Sequence, residues 1–200
     1  MKFILGKKLN MTQIFDEAGR VIPVTLVEVE SCTVTQVRSD DRDGYSAIQI
    51  GTIYKKNINK PEKGHLKELG QFSILKEFRI NADYNVGDKI DISLFEVGDD
   101  VNVSGISKGK GFQGVVKRHK FSGGPGSHGQ AHTLRSPGSI GAGGVQRVFK
   151  GKRMAGRMGS DRVFTPGLKI VKVDVENGML AISGALPGRR GTVLEIVSQK

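Results

Sequence analysis

Residues 101–160 read VNVSGISKGKGFQGVVKRHKFSGGPGSHGQAHTLRSPGSIGAGGVQRVFKGKRMAGRMGS. The stretch lies between Asp100 and Asp161 and contains neither Asp nor Glu. Its cations are Lys108, Lys110, Lys117, Arg118, Lys120, Arg135, Arg147, Lys150, Lys152, Arg153 and Arg157. His119, His128 and His132, three of the chain's four histidines, are also here. Glycine is dense throughout, and the few hydrophobic residues follow no sustained period. Such a segment buries too little apolar surface to offset its ordering entropy, and its like charges repel. A polyanionic partner is therefore expected to hold it, and it reads as an arm threaded into folded nucleic acid.

The charge distribution sharpens this. The 200 residues carry a net +11. Residues 1–100 contribute −2, residues 101–165 contribute +11 and residues 166–200 contribute +2. A basic middle between near-neutral halves points to a dedicated anionic partner. Hydrophobic content, at 37%, suffices for a modest core only. The single cysteine, Cys32, excludes an internal disulfide framework and a Cys-cluster zinc site, and reads as a small strand residue. No signal peptide is read at the start, where the apolar run after Met1-Lys2 is only Phe3-Ile4-Leu5. No stretch approaches the roughly 20 apolar residues of a membrane span. The expected compartment is cytosolic or an organellar matrix.

Strand signals flank the basic stretch on both sides. Val21–Glu30, with Pro23 near an edge or the strand's beginning, Thr33–Arg38, Tyr45–Ile53, Ile74–Ile80, Lys89–Leu94 and Val101–Ser104 read as strands. Asp40–Gly44 and Asn85–Asp88 read as turns, and a short helix is expected near His65–Leu69. Beyond the basic stretch, Lys169–Val175 and Met179–Ser183 flank Asn177-Gly178, which predicts a type I′ hairpin, and Thr192–Val197 is the last strand. Short strands with frequent turns predict a mainly β fold, a barrel or sandwich. The basic Gly-rich stretch is thus a long loop extension inserted between strands of one β domain, and loops of that length are usually functional. The expected division is 1–104, the first part of the domain, 105–162, the extension, and 163–200, the closing strands.

Two motifs need weighing. Gly109-Lys110-Gly111-Phe112-Gln113-Gly114 matches G-x-G-x-x-G, but no acid follows before Asp161, against the dinucleotide pattern. The glycines instead let backbone approach phosphates that Lys108 and Lys110 neutralise. His128 and His132 have a helical metal spacing without the acid of H-E-x-x-H, so base or phosphate contacts fit better. Val115–Lys120 reads as a short helical turn. Phe149, Met154 and Met158 are expected to pack near the root of the extension. No nucleophile elbow G-x-S-x-G occurs, and neither cofactor nor metal is expected. A nucleotide-dependent enzyme using the Gly-rich loop is the rival reading.

These residues resemble a known family. Phe95, Asn102, Gly105, Ser107, Gly109-Lys110-Gly111, Gly114 and Arg118 fall at the spacing of the signature region of bacterial large-subunit ribosomal protein L-three. Gly6–Phe15, Ser136–Gly141 and Val148–Gly156 resemble it too, and the likeness covers essentially the whole chain. The resemblance implies a structural ribosomal protein, not an enzyme: a β-barrel domain on the cytoplasmic large subunit and a finger that binds large-subunit ribosomal RNA. It implies early binding in assembly, contact with neighbouring ribosomal proteins, and no membrane or small-molecule partner. The expected RNA-binding residues are Lys108, Lys110, Lys117, Arg118, His119, Lys120, His128, His132, Arg135, Arg147, Lys150, Lys152, Arg153, Arg157 and Arg162. The tip, near the peptidyl-transferase centre, maps to Ser136, Pro137, Gly138, Ser139, Ile140, Gly141, Ala142, Gly143, Gly144 and Val145, slightly shorter than the family pattern. Some bacterial members carry a methylated glutamine there; the nearby glutamine in this chain is Gln146.

Overall fold

A computed structural model describes all residues except 68, 81–83, 131 and 199–200. It divides into two compact units: Met1–Ile106 with Arg162–Lys200, and Ser107–Asp161. In chain order the strands are β1 (Phe3–Phe15), β2 (Val21–Glu28), β3 (Cys32–Arg38), β4 (Ala47–Tyr54), β5 (Phe72–Phe78), β6 (Lys89–Ile90) and β7 (Asp100–Ile106). There follow β8 (Phe112–Gln113), β9 (Gly156–Arg157), β10 (Arg162–Asp174), β11 (Met179–Ser183) and β12 (Val193–Ser198). Among the described residues three short α-helices accompany them: α1 (Asp40–Asp43), α2 (Lys60–Leu66) and α3 (Val115–His119). The fold is mainly β.

Six strands of the first unit close on themselves in the order β1-β12-β7-β10-β11-β2, every pair antiparallel. Closure leaves no edge strand to template aggregation. The register puts Ile4 opposite Ile196 and Ile196 opposite Val103, so these three share one face, and all are fully buried. A second sheet has the order β5-β4-β3-β6. One buried cluster joins the two, running from Ile4, Val103 and Leu194 to Val34, Ile50 and Phe78. The Phe3 ring lies 5.0 Å from that of Phe78 and meets Tyr84 edge-on at 5.7 Å. Phe3, Ile4 and Leu5 are all buried because β1 has apolar neighbours on both faces there.

Several elements differ from expectation. Strand β1 was not among the expected strands; its apolar start gives way to Lys7, Lys8 and Asn10. Residues 40–43 form a single helical turn closed by Gly44 in the left-handed region. Helix α2 starts at Lys60, earlier than expected, because the Asn59 N–H donates to Glu62 Oε2 at 3.1 Å and Pro61 fits the first turn. Lys89–Leu94 is not one strand: β6 stops at Ile90, and Ile92–Leu94 is a 3₁₀ turn. The β10–β11 hairpin forms, but its turn is not type I′. Gly178 has φ +61 whereas Asn177 is not in the positive-φ region. The Asp174 carboxylate accepts from the Asn177 N–H at 3.1 Å and from its side-chain amide at 3.0 Å. Those bonds hold the Asp174 carboxyl below its ordinary pKa. Pro23 pairs with Gln13 in β1, while the β11 ladder begins only at Val24, so its missing donor costs no ladder bond. Cys32 is fully buried, and burial pushes its thiol pKa up.

Candidate nucleic-acid interface

The unit Ser107–Asp161 begins and ends as a two-stranded ladder. Ser107 N–H donates to Asp161 O at 2.9 Å, Lys110 N–H to Met158 O at 2.9 Å and Met158 N–H to Gly111 O at 3.0 Å. Strands β8 and β9 continue it, pairing Phe112 with Arg157 and Gln113 with Gly156. The strands press close at Gly159, where a Cβ would fall 2.2 Å from Lys108 O and where φ is +79. The G-x-G-x-x-G glycines therefore belong to an antiparallel ladder, not to a parallel βαβ crossover, and the dinucleotide reading loses its structural context.

Helix α3 follows from Gly114, and Lys117, Arg118 and His119 occupy its last turn, where cations suit the helix dipole. Two of these side chains are used internally. Arg118 Nη1 donates to Met154 O at 2.7 Å, and His119 Nε2 lies 3.0 Å from the same oxygen. A carbonyl only accepts, so His119 carries its proton on Nε2. Arg118 also covers Gly156, where a Cβ would meet its Nη1 at 2.7 Å. Both side chains are half-buried: they tie the outgoing helix to the returning chain and present only part of their surface outward.

From Lys120 to Ala155 no helix or strand occurs among the described residues, only local turns. Gly124 N–H donates to Leu134 O at 2.9 Å, and Ser136 Oγ to Thr133 O at 2.9 Å. A cleft of about 640 Å³ opens among Lys120, Phe121, Gly124, Gln130, Ser136 and Pro137. The segment 136–145 is exposed except for half-buried Ser136; beside the Ser136 bond, Ser139 Oγ donates to Gly141 O at 2.7 Å. Gln146 is exposed beside it.

The remaining expected contacts stand on the surface of this unit. Lys108, Lys110, Lys117, Lys120, Arg135, Arg147, Lys150, Lys152, Arg153 and Arg157 are exposed, and none forms a salt bridge among the described residues. His128, in the left-handed region at φ +60, and His132 are exposed loop residues. Arg162 stands apart. It opens β10 in the other unit, and its guanidinium pairs with Glu195, which Lys76 also reaches at 3.2 Å. Phe149 and Met154 are exposed at 53% and 37%, not packed as expected; only Met158 sits in the ladder at the root. With Phe112, Leu134 and Val148 they leave apolar faces between the cations, the combination that stacks on bases while cations follow a backbone. Val115 is the only buried hydrophobic residue of the unit among those described. One such side chain gives the unit little apolar burial to set against its ordering entropy.

Residues 47–195 match the family model for ribosomal protein L3, which sets the class as ribosomal proteins of this architecture. Over 200 residues the chain is 46% identical to large ribosomal subunit protein uL3 of Herpetosiphon aurantiacus, covering 96% of this chain and 94% of the relative. It is 50% identical to the uL3 of Chloroherpeton thalassium across the whole of both chains. Against the uL3 of Acidothermus cellulolyticus it is 49% identical over 98% and 91% of the two. The chain belongs to the ribosomal protein L3 family.

Proposed function

We propose that this chain is a structural constituent of the large ribosomal subunit in the cytoplasm, that it binds large-subunit ribosomal RNA through residues 107–161, and that it has no catalytic activity of its own. One observation carries the reading: among the described residues, the exposed cations of this unit meet no carboxylate, in a unit with a single buried hydrophobic residue. Phosphates supply the missing counter-charge, and ordering on RNA supplies the missing cohesion. Arg pairs with phosphate through its planar fork and Lys as a point charge. The exposed rings and aliphatic side chains between them give sequence-tolerant packing on bases and sugars. The proposal extends to early binding in subunit assembly, contact with neighbouring ribosomal proteins, and a tip at Ser136–Val145 that approaches the peptidyl-transferase centre.

The test pairs two probes. Purified protein is incubated with a large-subunit ribosomal RNA transcript and, separately, with labelled ATP, and cell extracts are sedimented to locate the chain. Retention of the RNA, no retention of ATP and co-sedimentation with large subunits are expected. ATP retained without RNA would restore the enzyme reading.

A further inference from the structure

The β11–β12 connection contains Pro187-Gly188-Arg189-Arg190-Gly191, an arginine pair in the near-neutral part of the chain. Its backbone is fixed on every side. Lys8 Nζ donates to Leu186 O at 2.6 Å and to Gly188 O at 3.2 Å from beneath. Gly191 N–H donates to Lys8 O at 2.7 Å, and Lys8 N–H to Thr192 O at 2.9 Å. Across the turn, Thr192 N–H donates to Arg189 O at 3.1 Å and Arg189 N–H to Thr192 Oγ1 at 3.0 Å. Gly191, at φ +82, occupies the third position, where a type II turn requires positive φ. Gly188 is equally constrained: φ is +87, and a Cβ would lie 2.4 Å from Thr192 Oγ1 and 2.7 Å from Ile106 O.

This rigid turn presents two exposed guanidiniums. Neither Arg189 nor Arg190 forms a salt bridge among the described residues, whereas Arg38 pairs with Asp43 and Glu77, and Arg162 with Glu195. No Asp or Glu occurs between Glu176 and Glu195, so the turn has no acid beside it in sequence. Ordering the backbone beforehand removes much of the entropy cost of holding two arginines against an anion. We infer that the Pro187–Thr192 turn is a second, preformed binding point for RNA phosphates, carried by the β unit rather than by the basic insertion. The inference rests on the RNA-binding reading above. An acidic segment of a neighbouring protein is the competing occupant, and protein-free RNA as probe separates the two.

The experiment uses the full chain and a large-subunit ribosomal RNA transcript, with affinity measured by filter binding across a salt series. R189Q/R190Q is expected to reduce the slope of log K against log[salt] by about 1.4–1.8, at roughly 0.7–0.9 per phosphate contact. Extrapolated from 1 M, that is a loss of about 25- to 60-fold at 0.1 M salt. R189K/R190K should retain most of the slope. G188A keeps both charges but spoils the turn, and should weaken binding with a smaller change in slope; a thermal melt reports whether the barrel stays folded. Unchanged affinity and slope in R189Q/R190Q, while K150Q/K152Q/R153Q/R157Q loses binding, would overturn the inference and leave the RNA-binding reading standing. Loss of neither would overturn both. RNA binding preserved in R189Q/R190Q together with a lost ribosomal-protein neighbour would assign the turn to protein and overturn the inference.

Discussion

Neutralising Lys150, Lys152, Arg153 and Arg157 together, as K150Q/K152Q/R153Q/R157Q, separates charge from fold. All four side chains are exposed and none forms a salt bridge among the described residues. The one local bond at stake is long, from Arg157 Nη2 to Ser160 O at 3.4 Å. The variant therefore loses no buried contact, and its melting temperature should stay within a degree or two of the parent. Binding should behave otherwise. If each cation meets one phosphate, the slope of log K against log[salt] falls by roughly 0.7–0.9 per contact, about three in all. At 0.1 M salt this is on the order of a thousandfold loss of affinity for the ribosomal RNA transcript. Filter binding between about 0.05 and 0.4 M salt, over which the Debye length falls roughly threefold, resolves such a change. Parent-like affinity and slope would show these charges to be a solvated face and would refute the electrostatic reasoning.

Deleting 136–145 should leave the β unit folded and most RNA affinity intact, since the cation clusters at 108–120 and 147–157 remain; subunits carrying it should show normal occupancy but impaired peptidyl transfer. In the free protein, hydrogen exchange should be fast within 107–161, apart from the α3 and ladder amides, and slow in the barrel; equal protection would mean the basic unit has a core of its own. I196A, at a fully buried barrel position, should cost about 3 kcal/mol in denaturant unfolding, whereas F149A, at an exposed one, should cost almost nothing. Because the folded Asp174 pKa is depressed, its contribution to stability is present above the ordinary carboxylate range and is lost as pH falls through the lowered value. An NMR titration of Asp174 should accordingly give a midpoint below 3.8 in the parent that moves back up in N177A.

Thr33–Arg38 was legible because its residues alternate, and Met179–Ser183 because it is a short apolar run directly after Asn177-Gly178; they lie inside β3 and β11 as found. Strand β1 escaped because Phe3–Leu5 is buried on both faces and the rest carries polar residues, so no period of two develops. The early start of α2 did have a signal, Asn59 three residues before Glu62, which the polar composition around it obscured. The type I′ expectation failed because the Asp174 carboxylate, not the Asn-Gly dipeptide alone, shapes that turn. At the candidate interface, an acid-free run of sequence marked the exposed cations directly. The internal roles of Arg118 and His119 had no local signal, since their partner oxygen lies on Met154, 36 and 35 residues away. Arg189 and Arg190 lie in a near-neutral part of the chain, where only the acid-free stretch between Glu176 and Glu195 marks them.

Ultraviolet cross-linking of the intact large subunit, followed by mass spectrometry of the nucleotide-bearing peptides, tests the proposed role of residues 107–161 most directly. Cross-links to large-subunit ribosomal RNA should concentrate in peptides from this unit, including those that carry Lys108–Lys120 and Arg147–Arg157. A subunit that contains the chain yet yields RNA cross-links only from the barrel and the second sheet would contradict it.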